Sequence, residues 1–200
     1  IQKLQKLPED TQQVLRLGAC LGNQFDLNTI SLIHGKEAVG TFRDLWPAIK
    51  EDLIQPISDL QFTQEQLFNF PLLVLNYQFL HDRVQQAAYA LIDDSQKKAV
   101  HLQIGRMFLM NTPVEYRLDR AFELVDHLNV GRELITEGEE KLELAALNLD
   151  AAKKAKDATA YQAAKDYLTA GVELLPENSW GDRYDLTFAL YKNIAEIEYL

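Results

Sequence analysis

Cysteine is nearly missing: Cys20 stands alone among 200 residues, so the chain can form no internal disulfide. A lone cysteine in a helical stretch reads as a small buried hydrophobe, and it fits a reducing, cytoplasmic compartment. Glycine and proline are few, 9 and 6, and the glycines are isolated. No G-x-x-x-x-G-K-[ST] phosphate loop occurs, nor GxSxG, HExxH or CxxC, which leaves no catalytic or metal-binding constellation in local sequence. The four histidines (His34, His81, His101 and His127) are far apart, and none has a partner at i+4 that would make a metal pair. No apolar run approaches the ~18 residues that a membrane span needs, and Ile1-Gln2-Lys3-Leu4 enters a helical pattern without a leader-like stretch.

Positive charge is also short. Lys and Arg number 20 against 30 Asp and Glu, a net charge of −10. The deficit is uneven: residues 1–110 carry 10 basic and 12 acidic groups, residues 111–200 carry 10 and 18. An acidic chain repels phosphate backbones and anionic lipids, so neither nucleic acid nor a membrane surface is expected as a partner.

What is present is a soluble-type mixture, 47% hydrophobic and 25% charged, with strong helical periodicity. The absence of an initial Met, and an end at Leu200 inside the helical pattern Ala189-Leu190-Tyr191-Lys192-Asn193-Ile194-Ala195, suggest a piece of a larger protein. Pro8-Glu9-Asp10 predicts a helix start, with Val14, Leu17, Gly18 and Leu21 as its inner stripe and Gly22-Asn23 as its end. A short helix from about Leu27 to His34 is closed by Gly35. A third carries Phe42, Leu45, Trp46, Ile49 and Leu53, with a kink or restart expected at Pro47. Ile54-Gln55-Pro56-Ile57 reads as an edge strand because of its proline, residues 59–71 (with Phe62, Phe68 and Phe70) as a long loop. The alternation of Leu73, Leu75, Tyr77 and Phe79 predicts an inward-facing strand. Helix, helix, helix, strand, long loop, strand is the order of a winged-helix domain with a small β-hairpin. A closing helix, His81 to Ile92, has Val84, Ala87, Ala88 and Leu91 inward.

The remainder is all helix. Asp94–Met110 should face inward with Val100, Ile104, Met107 and Phe108; a further helix carries Leu118, Ala121, Phe122 and Val125. Residues 139–156 are rich in strong helix formers. Thr159–Leu175 ends at Pro176-Glu177-Asn178, and a last helix starts near Asp182. Ala163, Tyr167 and Ala170 match the small-aromatic-small spacing of a tetratricopeptide repeat, although Leu147 and Ala151 replace its first-helix signature. Residues 139–200 are thus either tetratricopeptide-like or an antiparallel helical array without a strict repeat. The expected class is mainly α: a winged-helix domain over 1–92 and a helical-repeat arm over 93–200.

His81-Asp82-Arg83 has the wrong order for the H-R-D of a protein kinase. Gln85-Gln86-Ala87-Ala88-Tyr89 does not continue it as a histidine-kinase phosphoacceptor helix would. The third helix is also a poor DNA reader: over residues 36–52, Lys36, Arg43 and Lys50 face Glu37, Asp44, Glu51 and Asp52, a balance of −1.

Leu15-Arg16-Leu17-Gly18-Ala19-Cys20-Leu21-Gly22-Asn23-Gln24-Phe25-Asp26-Leu27 resembles the start of the helical domain that follows the core of signal-transduction (STAND-class, AAA-type) ATPases. Phe79-Leu80-His81-Asp82-Arg83-Val84-Gln85-Gln86-Ala87-Ala88-Tyr89 resembles the motif that ends their winged helix. With Leu128-Asn129-Val130-Gly131-Arg132-Glu133-Leu134-Ile135, the whole chain is similar to the large cyanobacterial-type multi-sensor kinases. In those a serine/threonine kinase, an ATPase module, helical repeats, a GAF sensor and a histidine kinase follow one another. The resemblance implies that ADP is held between the ATPase core and the winged helix, with His81 at the ADP phosphate. A helix N-terminus suits a phosphate, although Asp82 would compete for the same N–H groups. The ATPase motifs are absent from these residues, so the chain alone is expected to be no enzyme and to hold no cofactor. ATP or ADP with magnesium belongs to the parent, and the partners are other domains of the same chain and proteins docking on the arm. The rival expectations are an interaction scaffold without a switch and a winged-helix DNA-binding regulator.

Overall fold

The start signal at Pro8 is used as read. In the computed structural model, which describes residues 2–58, 63–69 and 75–199, helix α1 runs Glu9–Leu21 with Glu9 and Asp10 in its first turn. Acids there complement the free N–H groups of the helix end. Val14, Leu15, Leu17 and Gly18 are buried, and Gly22 ends the helix at φ 127°, a backbone conformation that side chains rarely adopt. Asp26 caps the next helix, α2 (Leu27–His34), by accepting a 2.8 Å hydrogen bond from the Thr29 N–H, and Gly35 closes it in the left-handed region at φ 73°.

Helix α3 (Ala38–Lys50) runs unbroken through Pro47, so the restart expected there does not occur. Pro47 sits in the last turn, where its missing N–H removes one bond near the helix end. The Glu51 and Leu53 N–H groups take up the Pro47 and Ala48 carbonyls directly behind it.

The expected hairpin is a three-stranded antiparallel sheet, β1 (Gln24–Asp26), β2 (Ile54–Pro56) and β3 (Asn76–Phe79), in the order β1-β3-β2. Phe25 pairs with Tyr77, and Ile54 with Phe79. Strand β1 is too short to show alternation; Phe25 is its one buried residue. Pro56 lies on an edge strand, where a residue without an N–H is tolerated. Tyr77 and Phe79 point inward as read, whereas Leu75 is 39% exposed. Leu73, Phe62 and Phe70 lie outside the described residues. The long loop expected over 59–71 contains a helix, α4 (Gln64–Asn69). The Thr63 hydroxyl accepts from the Gln66 N–H at 3.2 Å, and the Gln66 side chain accepts from the Thr63 N–H at 2.9 Å. This is a reciprocal capping box. Helix α5 (Asp82–Ala90) packs on α1 and buries Ala88, while Val84, Ala87 and Leu91 are half-buried.

By internal packing the chain divides into Ile1–Gln96 and Lys97–Leu200. The second unit is entirely helical among its described residues: α6 (Asp94–Asn111), α7 (Val114–Arg117), α8 (Ala121–Gly131), α9 (Gly138–Asp157), α10 (Tyr161–Glu173), α11 (Ser179–Asp182) and α12 (Tyr184–Tyr199). Two inward faces differ from expectation. In α6, His101, Leu102, Ile104 and Gly105 are buried, and Val100, Met107 and Phe108 are only half-buried. The face is rotated because Gly105 and Gly131 allow close approach. A Cβ on Gly105 would meet Leu128 at 2.7 Å, and one on Gly131 would meet Leu102 Cβ at 2.6 Å and the Lys98 carbonyl at 2.7 Å. The helix expected across 118–125 is broken in two, and Leu118 at the break is 55% exposed.

Helices α9 and α10 pack through alanines: Ala145, Ala152, Ala155 and Ala164 are all buried. Within that packing Asn148 is fully buried and bonds reciprocally with Asn129 on α8, at 2.8 and 2.9 Å. Of the small-aromatic-small triplet, Ala170 is buried and Ala163 half-buried; Tyr167 stacks on Phe122 at 5.8 Å and donates to Asp126 at 2.9 Å. The molecule as a whole is mainly helical. Among the described residues no helix is long and apolar enough to cross a membrane.

The close approach at Gly131 is testable by size alone. Gly131→Ala forces a methyl into the Lys98 carbonyl and should lower stability by about 1–3 kcal/mol, as overpacking does. Gly138→Ala, at a position with nothing within 4 Å, should be neutral or slightly stabilising. Chemical denaturation of the two variants checks both, and equal effects would contradict the packing described.

Candidate functional site

The junction between β3 and α5 is built by backbone bonds on both sides of the strand. The Phe79 N–H donates to the Asn23 carbonyl at 2.9 Å and the Leu80 N–H to the Leu53 carbonyl at 3.0 Å. The chain then turns from strand to helix at His81, the N-cap residue of α5, in extended conformation (φ −141°, ψ 139°). The His81 carbonyl accepts from the Val84 N–H at 2.8 Å, which starts the helix. Its imidazole makes no capping hydrogen bond and is exposed, as are Asp82 and Arg83. Among the described residues, Asp82 likewise forms no side-chain hydrogen bond or ion pair, so it does not occupy the first N–H groups of α5. The helix is held in place from behind: Gln85 Nε2 donates to the Ala19 carbonyl of α1 at 2.9 Å. The junction therefore presents an imidazole and free N–H groups at the positive end of a nine-residue helix.

The other histidines are used elsewhere. The side chain of His34, at the end of α2, is 1% exposed and its Nε2 lies 2.9 Å from Asp44 Oδ2. Lys36 Nζ also reaches Asp44, at 2.6 Å, and Asp10 at 3.4 Å, so one cluster ties α1, α2 and α3. Burial pushes the Asp44 carboxyl up, but the hydrogen bonds from Lys36 and His34 outweigh it and hold it below the usual carboxylate range. Buried beside these helices without a hydrogen-bond partner are Arg16 Nε, His34 Nδ1 and Thr41 Oγ1.

His101 and His127, 26 residues apart, are brought together: their Nδ1 atoms lie 2.9 Å apart and their rings stack at 5.0 Å, with Phe108 edge-on to His127 at 5.5 Å. No local spacing could have shown this. Burial, and then the facing imidazole, push His101 down to about 4; burial lowers His127 as well, with Glu123 opposing. Among the described residues, no group of three or more His, Cys, Asp or Glu is placed to hold a metal ion. A separate cleft of ≈ 550 Å³ in the second unit, by the first turn of α9, is spanned by the Arg132–Glu173 ion pair at 2.8 Å.

The histidine pair sets a pH dependence. Both rings titrate lower in the folded chain than in the unfolded one, so their contribution is complete above about pH 6.5. It is lost as pH falls toward 4, the folded value for His101. Thermal melts should show stability declining by about 1–3 kcal/mol across that window. The decline should flatten in the His101→Gln/His127→Gln double variant; an unchanged profile in that variant would contradict the assignment.

Comparison with known proteins gives one anchor. No protein-family model matches the chain, and no solved structure matches it. Among curated proteins it is similar to the hybrid signal transduction histidine kinase G of Dictyostelium discoideum. The two are 26% identical over 255 aligned residues, which cover 100% of this chain and 7% of that protein. The chain thus spans about 7% of the length of the relative it matches, and the likeness supports a signalling-kinase context for it.

Proposed function

We propose that this chain is a non-catalytic regulatory segment of a large signal-transduction kinase. Its first unit serves as a winged-helix-like lid that senses the nucleotide state of an ATPase core elsewhere in the polypeptide. The second unit passes that state to sensor and kinase domains or offers a docking surface. The nucleotide and its magnesium belong to the parent, the partners are domains of the same cytoplasmic protein, and this segment contacts neither nucleic acid nor membrane.

The observation that carries the reading is the exposed, uncapped His81 at the N-terminus of a helix anchored to α1. A phosphate there would meet free N–H groups and a donor imidazole together. The element order α1-β1-α2-α3-β2-α4-β3-α5 with strand order β1-β3-β2 supports the winged-helix likeness. The similarity to a histidine kinase supports the signalling setting. A DNA-reading role draws little support from α3, whose neighbour Lys36 is engaged by Asp44 and Asp10. A plain interaction scaffold remains the alternative, and it differs in one outcome: His81 would then be dispensable.

The test uses the full-length parent. His81→Ala should release co-purified ADP roughly 10–100-fold faster, the loss of one charge-assisted hydrogen bond, with melting unchanged. Equal release would leave the scaffold reading. Turnover of ATP by the 200-residue chain would refute its non-catalytic role.

A further inference from the structure

Four aromatic side chains lie on the surface at the start of the last helix. Trp180, Tyr184, Phe188 and Tyr191 are 50, 54, 47 and 44% exposed. They are arranged as two parallel pairs: Trp180 stacks on Tyr191 at 5.4 Å, and Tyr184 on Phe188 at 5.8 Å with only 8° between ring planes. Tyr184, Phe188 and Tyr191 stand at i, i+4 and i+7 on α12, which buries Thr187, Leu190 and Ile197 on an adjoining face. At roughly half of the ~200 Å² each such side chain can bury, the patch measures about 400 Å², the scale that marks an interaction surface.

The charges on this segment that lack an ion-pair partner have one sign. Glu177, Asp182 and Asp185 are exposed on the same segment, and among the described residues none of them forms an ion pair. The nearby cations are already engaged, Arg183 with Glu139 at 2.7 Å, and Lys156 and Lys192 with Glu196 at 2.8 and 3.7 Å. The patch thus joins half-exposed rings to carboxylates without ion-pair partners in the more acidic half of the chain.

We propose that the Trp180–Tyr191 face of α11 and α12 is a docking surface for an arginine-rich peptide segment. A guanidinium is planar and weakly hydrated, so it stacks on a ring face while its N–H fork takes a carboxylate beside it. Asp185, the exposed acid that follows Tyr184 in the sequence, is the carboxylate assigned to that fork. An acidic partner is repelled by the same groups, and a purely apolar one leaves the carboxylates to be desolvated without compensation. The surface does not depend on the role of His81.

The probe is a labelled hexa-arginine peptide titrated by fluorescence anisotropy into the whole chain, at low salt and at ~150 mM salt. Binding should persist at the higher salt and exceed that of hexa-lysine by fivefold or more. Asp185→Asn and Tyr184→Ala should each weaken it at least threefold, with helical circular dichroism retained. Equal affinity for the two peptides, or hexa-arginine binding unaffected by Asp185→Asn, means diffuse charge adsorption and overturns the proposal; so does the absence of binding at ~150 mM salt. The isosteric Asp185→Asn and the arginine-to-lysine ratio keep the test decisive if Tyr184→Ala impairs folding.

Discussion

Everything in the first unit hangs on β3. This four-residue strand is paired on both edges, by β1 and β2, and sends Tyr77 and Phe79 into the core. Phe25 of β1 packs against both rings, at 6.3 and 5.7 Å, which adds ring contacts to the β1–β3 pairing. The same strand fixes where the chain turns at His81, because Phe79 and Leu80 spend their N–H groups on Asn23 and Leu53. The exposed imidazole is therefore placed by backbone bonds and buried rings rather than by contacts of its own. A loop residue on a rigid support is the usual arrangement for a functional side chain.

The second unit is governed by close approach between helices. Glycine at 105, 131 and 171 and alanine along α9 and α10 remove the side-chain bulk that would hold the helices apart. Such a surface of small residues is permissive about register. The Asn129–Asn148 pair supplies a choice: both amides are satisfied in one alignment, and a shifted one leaves a buried amide unpaired. The histidine pair between α6 and α8 is a second polar contact in the same unit, and it is lost once both rings are protonated, since neither then keeps an acceptor nitrogen.

Elements with strong end signals were legible from the residues. Pro8, Gly22 and Gly35 mark helix ends that the structure uses, and Pro56 marks an edge strand. The failures have specific causes. Strand β1 has one inward residue and so no period. The helix at Gln64–Asn69 did carry a signal, Thr63 with Gln66 three residues on, which the scattered phenylalanines around it obscured. Pro47 counts for less than its type suggests because it comes so near the helix end. The inner face of α6 depends on glycines that hydropathy counts as neutral, and the pairing of His101 with His127 exists only in three dimensions. At the candidate site the position of His81 was legible; its freedom from capping, and that of Asp82, needed coordinates. The aromatic face of α12 was hidden because its rings share the helical period of a core stripe.

In the function we propose, a rigid sheet presents His81 and a stack of closely packed helices carries the consequence. The central claim is that the α5 N-terminus reports nucleotide state. Hydrogen exchange of the full-length parent, with and without ADP, tests it most directly. The account predicts that the amides of Asp82 and Arg83 become protected when ADP is bound, while those of β3 stay protected in both states. Identical exchange at the α5 N-terminus in the two states would contradict it.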